Sequence, residues 1–125
     1  MSLTIVDVSN DASGGVRIDR DEVLLRAGEA DWFGGVTAMS DAEKCKRFFF
    51  LELPPGHAAE GSFAARKQVC VLLQGRVEVA VGDGKAVELG PGDVARLADT
   101  DFQSANRSVR VVGTEPARVI IIQLE

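Results

Sequence analysis

Apolar positions along this chain fall in short strand-like runs, some continuous and some alternating with polar residues, cut by glycine and proline. Arg47–Leu53 (RFFFLEL) is aromatic and aliphatic and stops at Pro54-Pro55-Gly56, where two prolines and a glycine end ladder pairing. Gln68–Leu73 (QVCVLL) is rich in strand-forming residues and breaks at Gly75. Arg76–Val81 (RVEVAV) alternates, Gly82-Asp83-Gly84 supplies a hairpin turn, and Lys85–Leu89 (KAVEL) returns. Gly90-Pro91-Gly92-Asp93 turns again into Val94–Leu97, and the tail adds Ser108–Val112 and Arg118–Leu124 with Thr114, Glu115 and Pro116 between them.

Short strands about ten residues apart, with turn residues between them, predict an all-β antiparallel barrel or sandwich. Residues 41–46 (DAEKCK) look helical but are too short to shape the fold. No segment sustains a 3.6-residue apolar period, and no block repeats. Asn10, Asp11, Ser13, Gly14, Gly15 and Asp19 crowd an otherwise polar stretch. Residues 1–20 therefore read as a flexible lead-in or short hairpin before a barrel over about 21–124.

Composition narrows the function classes. The chain has 125 residues and 46% apolar positions, enough for one domain with its own core. Its 14 basic and 19 acidic side chains leave a formal charge of −5, and the cations are scattered, so a phosphate backbone is a poor partner. No apolar run approaches the ~20 residues of a membrane helix, and Met1–Asn10 lacks a basic segment followed by an apolar one. A cytoplasmic protein without nucleic-acid or membrane partners is expected. Cys45 and Cys70 have no CxxC spacing. They read as reduced thiols rather than a disulfide framework or zinc site.

Two punctuated stretches carry a family resemblance. Pro55-Gly56 through Gly75 (PGHAAEGSFAARKQVCVLLQG) is similar to the first cupin motif, in which a glycine precedes a histidine pair, a glutamate, and a turn glycine. Leu89–Asn106 (LGPGDVARLADTDFQSAN) resembles the second, where a Pro-Gly-Asp turn launches a strand ending near another histidine. The resemblance spans about residues 32–124 and implies a single cupin domain, an antiparallel jelly-roll β-barrel.

The resemblance also implies where a metal would sit, because metal-binding cupins converge three histidines and a glutamate inside the barrel. Anchored on Gly75, the glutamate position is Gln68 and the histidine pair falls on Ser62 and Ala64. The third histidine falls on Gln103, or on Ala105 if Asp99-Thr100 and Arg66-Lys67-Gln68 mark the sub-group of short cupins that carries such pairs. Metal needs lone-pair donors at about 2 Å, and alanine has none. No metal site and no cofactor are expected.

Strand parity then outlines what the interior presents. If Gln68 points inward, Arg66, Cys70 and Leu72 share its face, and Ser62 and Ala64 continue it. With Gln103 these residues form a half-polar candidate ligand site, in which the planar fork of Arg66 suits a carboxylate or phosphate. The alternative is that Arg66 turns to solvent or to an acid and phenylalanines fill the space. His57 is the only histidine. It reads as a solvated turn residue or, at the mouth, as a companion to Glu52, Glu60 or Gln68. Trp32-Phe33-Gly34-Gly35-Val36 resembles a segment that precedes the barrel in small cupins, and its aromatics read as core packing.

Phe48, Phe49 and Phe50 must show at least one ring to the outside of their strand, and a covered apolar face implies a partner. The cupin resemblance implies a homodimer. Cys70 lacks a base at a suggestive spacing and reads as a buried, inert thiol.

The function that follows is a metal-free cupin that binds a small metabolite, anionic if Arg66 serves it, or acts as a non-catalytic dimeric module. The alternative is a metal-independent isomerase or epimerase using Glu52, Glu60 or Asp101. The histidine–tyrosine pair that such cupins use is impossible here because the chain has no tyrosine. A metal oxygenase with an atypical site of His57, Glu52 and Gln68 has the least support. No catalytic residue is assigned.

Overall fold

A computed structural model describes residues 2–10, 12, 15–27, 38–60, 67–82, 84–98 and 107–125. Its elements are β1 (Ser2–Asn10), β2 (Val16–Leu24), β3 (Arg26–Ala27), β4 (Ala38–Met39), β5 (Cys45–Leu53), β6 (Ala58–Glu60), β7 (Gln68–Gln74), β8 (Arg76–Val81), β9 (Ala86–Leu89), β10 (Val94–Ala98), β11 (Arg107–Val112) and β12 (Ala117–Leu124). Six strands form one sheet in the order β2-β1-β10-β7-β12-β5, four form a second in the order β6-β11-β8-β9, and β3 and β4 make a small hairpin. The fold is an all-β jelly-roll of the cupin type, as the alternating pattern and the motifs imply.

Each turn has a local cause. Gly75 joins β7 to β8 at φ +81°, and a Cβ there would meet the carbonyl oxygen of Pro116 at 2.7 Å. Only glycine fits both the left-handed backbone and the close approach. In the turn between β9 and β10, the Asp93 carboxylate accepts the Gly90 N–H at 2.8 Å. The Gly92 N–H donates to the Leu72 carbonyl, and the Leu72 N–H donates to the Asp93 carbonyl. The Pro-Gly-Asp turn is thus fastened to the middle of β7.

The two sheets close on one apolar cluster. Leu72, Ala95, Val119 and Ile121 come from the larger sheet, and Val77, Val79, Leu89 and Val111 from the smaller. Each fully buried valine or leucine contributes roughly 1.5–3 kcal/mol, an upper figure because unfolded chains already bury some surface.

Three local expectations need correction. Of the two readings of residues 1–20, the described residues follow the hairpin, and it is longer than expected. β1 and β2 form a long hairpin paired from Ser2↔Leu24 to Asn10↔Val16, and its Val6, Val8, Val16 and Ile18 join the core, so the buried body starts well before residue 21. The sparse apolar positions of this segment alternate with charged ones and supply one buried face.

The roll also contains a parallel pair, because β1 runs alongside β10 with Val6 opposite Ala95. Residues 41–46 are not helical. Asp41–Lys44 is irregular, and Cys45 and Lys46 already belong to β5, where Cys45 pairs with Leu124 of β12 and Lys46 sits at the bulge beside it; a single isolated helical turn is too short to compete. No helix among the described residues is long and apolar enough to cross a membrane.

Candidate functional site

Between the sheets lies a cavity of about 230 Å³. Its walls are the inward faces of β5 (Leu51, Leu53), β7 (Gln68, Cys70, Leu72), β8 (Val77, Val79), β10 (Ala95, Leu97), β11 (Arg107, Val109) and β12 (Val119, Ile121), with Leu89 of β9 and His57 of the turn after β5. Most of this lining is aliphatic. The polar groups among the described residues are Gln68, Cys70, His57 and Arg107.

Period-two geometry decides who faces inward. On β7, residues 68, 70 and 72 share the cavity side, as parity from Gln68 predicts. On β11 the same rule sends Arg107, Val109 and Val111 in and Arg110 out. Arg110 makes a two-pronged outer-face pair with Glu78 at 2.9 and 3.2 Å. Arg107, three residues earlier, is 2% exposed and is the largest fully buried side chain among the described residues. Its guanidinium presents five N–H donors in a fixed plane, enough to serve the protein and a ligand together.

Gln68 is held in a polar relay at one end of the cavity. The Gln123 side-chain amide donates to the Gln68 carbonyl oxygen at 3.4 Å, and the Arg47 guanidinium donates in turn to Gln123. Register explains the relay, since Gln123 of β12 lies opposite both Gln68 of β7 and Arg47 of β5. His57 enters through a tight turn, in which its N–H donates to the Pro54 carbonyl at 3.1 Å and Gly56 takes φ +80°. Its carbonyl accepts the Val111 N–H, which pins the turn to β11. The imidazole is half-buried on the cavity wall.

Burial pushes the Cys70 thiol up to about 11, with the positive field of Arg107 pulling partly against it. It is a neutral, weakly polar wall group near neutral pH, in line with the inert thiol expected from the sequence.

The mouth role expected for Glu52 is overturned. Leu51 and Leu53 face the cavity, so the residue between them faces out, where its carboxylate accepts from Arg118 at 3.0 Å. Glu60 is exposed on β6 and is not part of the lining. Ser62, Ala64, Arg66, Gln103, Ala105 and Asp101, together with Trp32 and Phe33, lie outside the described residues.

While the expectation for Arg66 lies outside the described residues, the cation on the cavity wall among them is Arg107. Reading the tail strand from Ser108 hid it. Stepping back in twos from Val111 and Val109 lands on Arg107, and the same step along the last strand finds Gln123.

The described residues of the wall do not suit a divalent metal. A guanidinium repels a cation, the thiol keeps its proton, and the Gln68 oxygen already accepts from Gln123. Among the described residues no group of three or more His, Cys, Asp or Glu side chains is placed to hold one.

Comparison with known proteins agrees with this architecture. A cupin-2 conserved barrel domain protein from Salinispora arenicola superposes with a TM-score of 0.51 at 15% identity, covering 62% of this chain and 61% of that one. A protein of unknown function from Rhizobium leguminosarum gives 0.49 at 21% identity, with 62% and 67% covered. A Thermus thermophilus protein gives 0.47 at 26% identity, with 65% and 76% covered. No curated protein matches the chain. The family model described as the EutQ-like cupin domain matches residues 42–112, more than half of the sequence and the stretch that holds β5 through β11. The chain therefore belongs to the EutQ-like cupin domain family.

Proposed function

We propose that the barrel is a metal-free binding module for a small amphipathic monocarboxylate, with the carboxylate on Arg107 and the hydrocarbon among the leucines and valines. The observation that carries this reading is a buried guanidinium set in a largely aliphatic wall beside open volume. A strongly hydrated anion such as phosphate would gain little from so few polar neighbours among the described residues.

Size narrows the class. Apolar cavities of ~150 Å³ hold a benzene ring, so about 230 Å³ accommodates an aromatic or branched short-chain acid. Gln68, steadied by Gln123, and the His57 imidazole offer further hydrogen bonds at the polar positions of the wall.

Binding rather than turnover fits the groups present. Among the described lining residues there is no carboxylate, and the thiol remains protonated, so the acid/base chemistry of an isomerase has no evident pair among them.

Calorimetric titration with benzoate and 3-methylbutanoate, each against its neutral amide, tests the reading. A hydrogen bond to a charged group is worth about 1.5–3 kcal/mol, so the acids are expected to bind about tenfold or more tighter than the amides. Arg107→Met should keep the apolar contacts and lose that preference, with a thermal melt checking that it folds. Equal binding of acid and amide, or binding of neither, overturns the proposal.

A further inference from the structure

Three side chains form one polar row across the six-stranded sheet. Arg47 of β5, Gln123 of β12 and Gln68 of β7 stand side by side in register on three neighbouring strands. The row starts in solvent and ends at the cavity. β5 is the apolar edge of the sheet, far from the charged β2 edge, and Arg47 is exposed on it with its guanidinium over the Phe49 ring at 5.3 Å. Gln68, at the other end, is 9% exposed and lines the cavity.

Such a row has a direction. The two ends of an amide differ in what they can do in a hydrogen bond, and a guanidinium can only donate, so Gln123 turns its Oε1 to the Nε of Arg47. Its NH2 then lies on the other side and donates to the Oε1 of Gln68 at 3.4 Å. The end of the Gln68 amide turned away from Gln123 is its NH2, a pair of donors. One arginine at the sheet edge thus sets the polarity of an amide two strands away, and each bond of the series polarises the next.

Arg107 has the same polarity. It faces the cavity from β11 and carries donors alone. Its field reaches Cys70, which stands two residues from Gln68 on the same face of β7, so guanidinium and amide address one region of the cavity. His57 can donate or accept and leaves this balance unchanged. Two donor groups on opposite sheets select a ligand with acceptors at two places.

We propose that the cavity is selective for oxo acids, with the carboxylate on Arg107 and a second carbonyl oxygen on the Gln68 NH2, and that Arg47 is the positioning residue that sets this preference through Gln123. The proposal rests on the carboxylate reading above and adds the second acceptor. A methyl group in place of the carbonyl leaves the Gln68 donors without that acceptor, and an amine sets donor against donor.

Arg47→Glu tests the direction of the row. A glutamate Oε stands as many bonds from the backbone as the arginine Nε, but it accepts. Gln123 should then turn its NH2 to the edge and its Oε1 to Gln68, and the cavity should meet the Gln68 carbonyl oxygen.

Calorimetry on the full chain compares two matched pairs, 4-oxopentanoate with 4-methylpentanoate and 4-aminobenzoate with 4-methylbenzoate. The wild type is expected to bind the oxo acid about threefold to tenfold tighter than its methyl counterpart, and the amine more weakly than its own. Arg47→Glu should invert both orders, and Arg47→Lys, still a donor, should keep them. Thermal melts establish that each variant is folded, and a merely misshapen cavity would weaken all four ligands without inverting either order. Oxo and methyl acids bound alike by the wild type overturn the inference, as do orders that Arg47→Glu fails to invert. The carboxylate reading fails separately, if 4-methylpentanoate binds no tighter than its neutral amide. Binding of none of the four overturns both.

Discussion

The Cys70 thiol offers a direct reading of how dry and how charged the cavity is. Its acid dissociation moves from 9.0 to about 11, chiefly through burial. Alkylation proceeds through the thiolate, whose fraction well below either value falls tenfold for each unit of upward shift. Two units therefore slow iodoacetamide labelling about a hundredfold relative to the same thiol in urea-unfolded chain, before any shielding of the reagent. The rate should still climb tenfold per pH unit between about pH 7 and pH 10, a slope that steric occlusion alone would flatten where opening limits labelling.

Arg107 opposes the burial effect, so Arg107→Met should push the thiol higher and slow labelling further. A carboxylate ligand bound at Arg107 should act in the same direction. Peptide mass spectrometry separates Cys70 from Cys45, which is exposed and serves as the internal standard. If folded Cys70 labels within a few-fold of the unfolded chain at about pH 8, the cavity is wet and open and the reasoning fails. If Arg107→Met accelerates labelling while the fold persists, the guanidinium is not acting on the thiol as described.

Two further outcomes follow from the same coordinates. Because the native chain holds the Cys70 proton above 9.0 while the unfolded chain releases it, stability should be unaffected by this group below about pH 9. It should fall by about 2–3 kcal/mol as pH rises to about 11, and Cys70→Val should lack that loss in paired urea melts. Gly75→Ala meets both a left-handed backbone and Pro116 at 2.7 Å, whereas Gly84→Ala meets only the backbone penalty, since nothing lies within 4 Å of its Cβ. Urea denaturation should place Gly84→Ala at roughly 1–3 kcal/mol and Gly75→Ala clearly beyond it; equal losses would deny the close approach.

Much of the fold was legible because its signals are local. Arg76–Val81 alternates and is β8 to the residue, and the glycines and prolines at Pro54–Gly56 and Gly90–Gly92 stand where turns occur. The inward set Gln68, Cys70 and Leu72 followed from parity once one residue was oriented. The hairpin of β1 and β2 was harder to read, because its stability rests on pairing with β10, more than eighty residues away in sequence. Glu52 was misjudged for a similar reason. Its neighbours Leu51 and Leu53 face the cavity, and only the β5–β12 register brings Arg118 against its outward side.

Composition and periodicity by themselves determined that this is a β protein with turns at fixed places, and the cupin resemblance implied a barrel whose usual imidazole positions hold other residues. Those properties depend on side-chain shape and backbone freedom within a few neighbouring residues. Only the tertiary structure decided that Arg107 stands in the cavity wall, that Gln123 and Arg47 steady Gln68, and that β5 is an apolar sheet edge while β2 is a charged one. Those facts come from strand order and register between distant segments. Strand pairing is a contest among many sequences of similar propensity, and it is settled by which arrangement buries one common core.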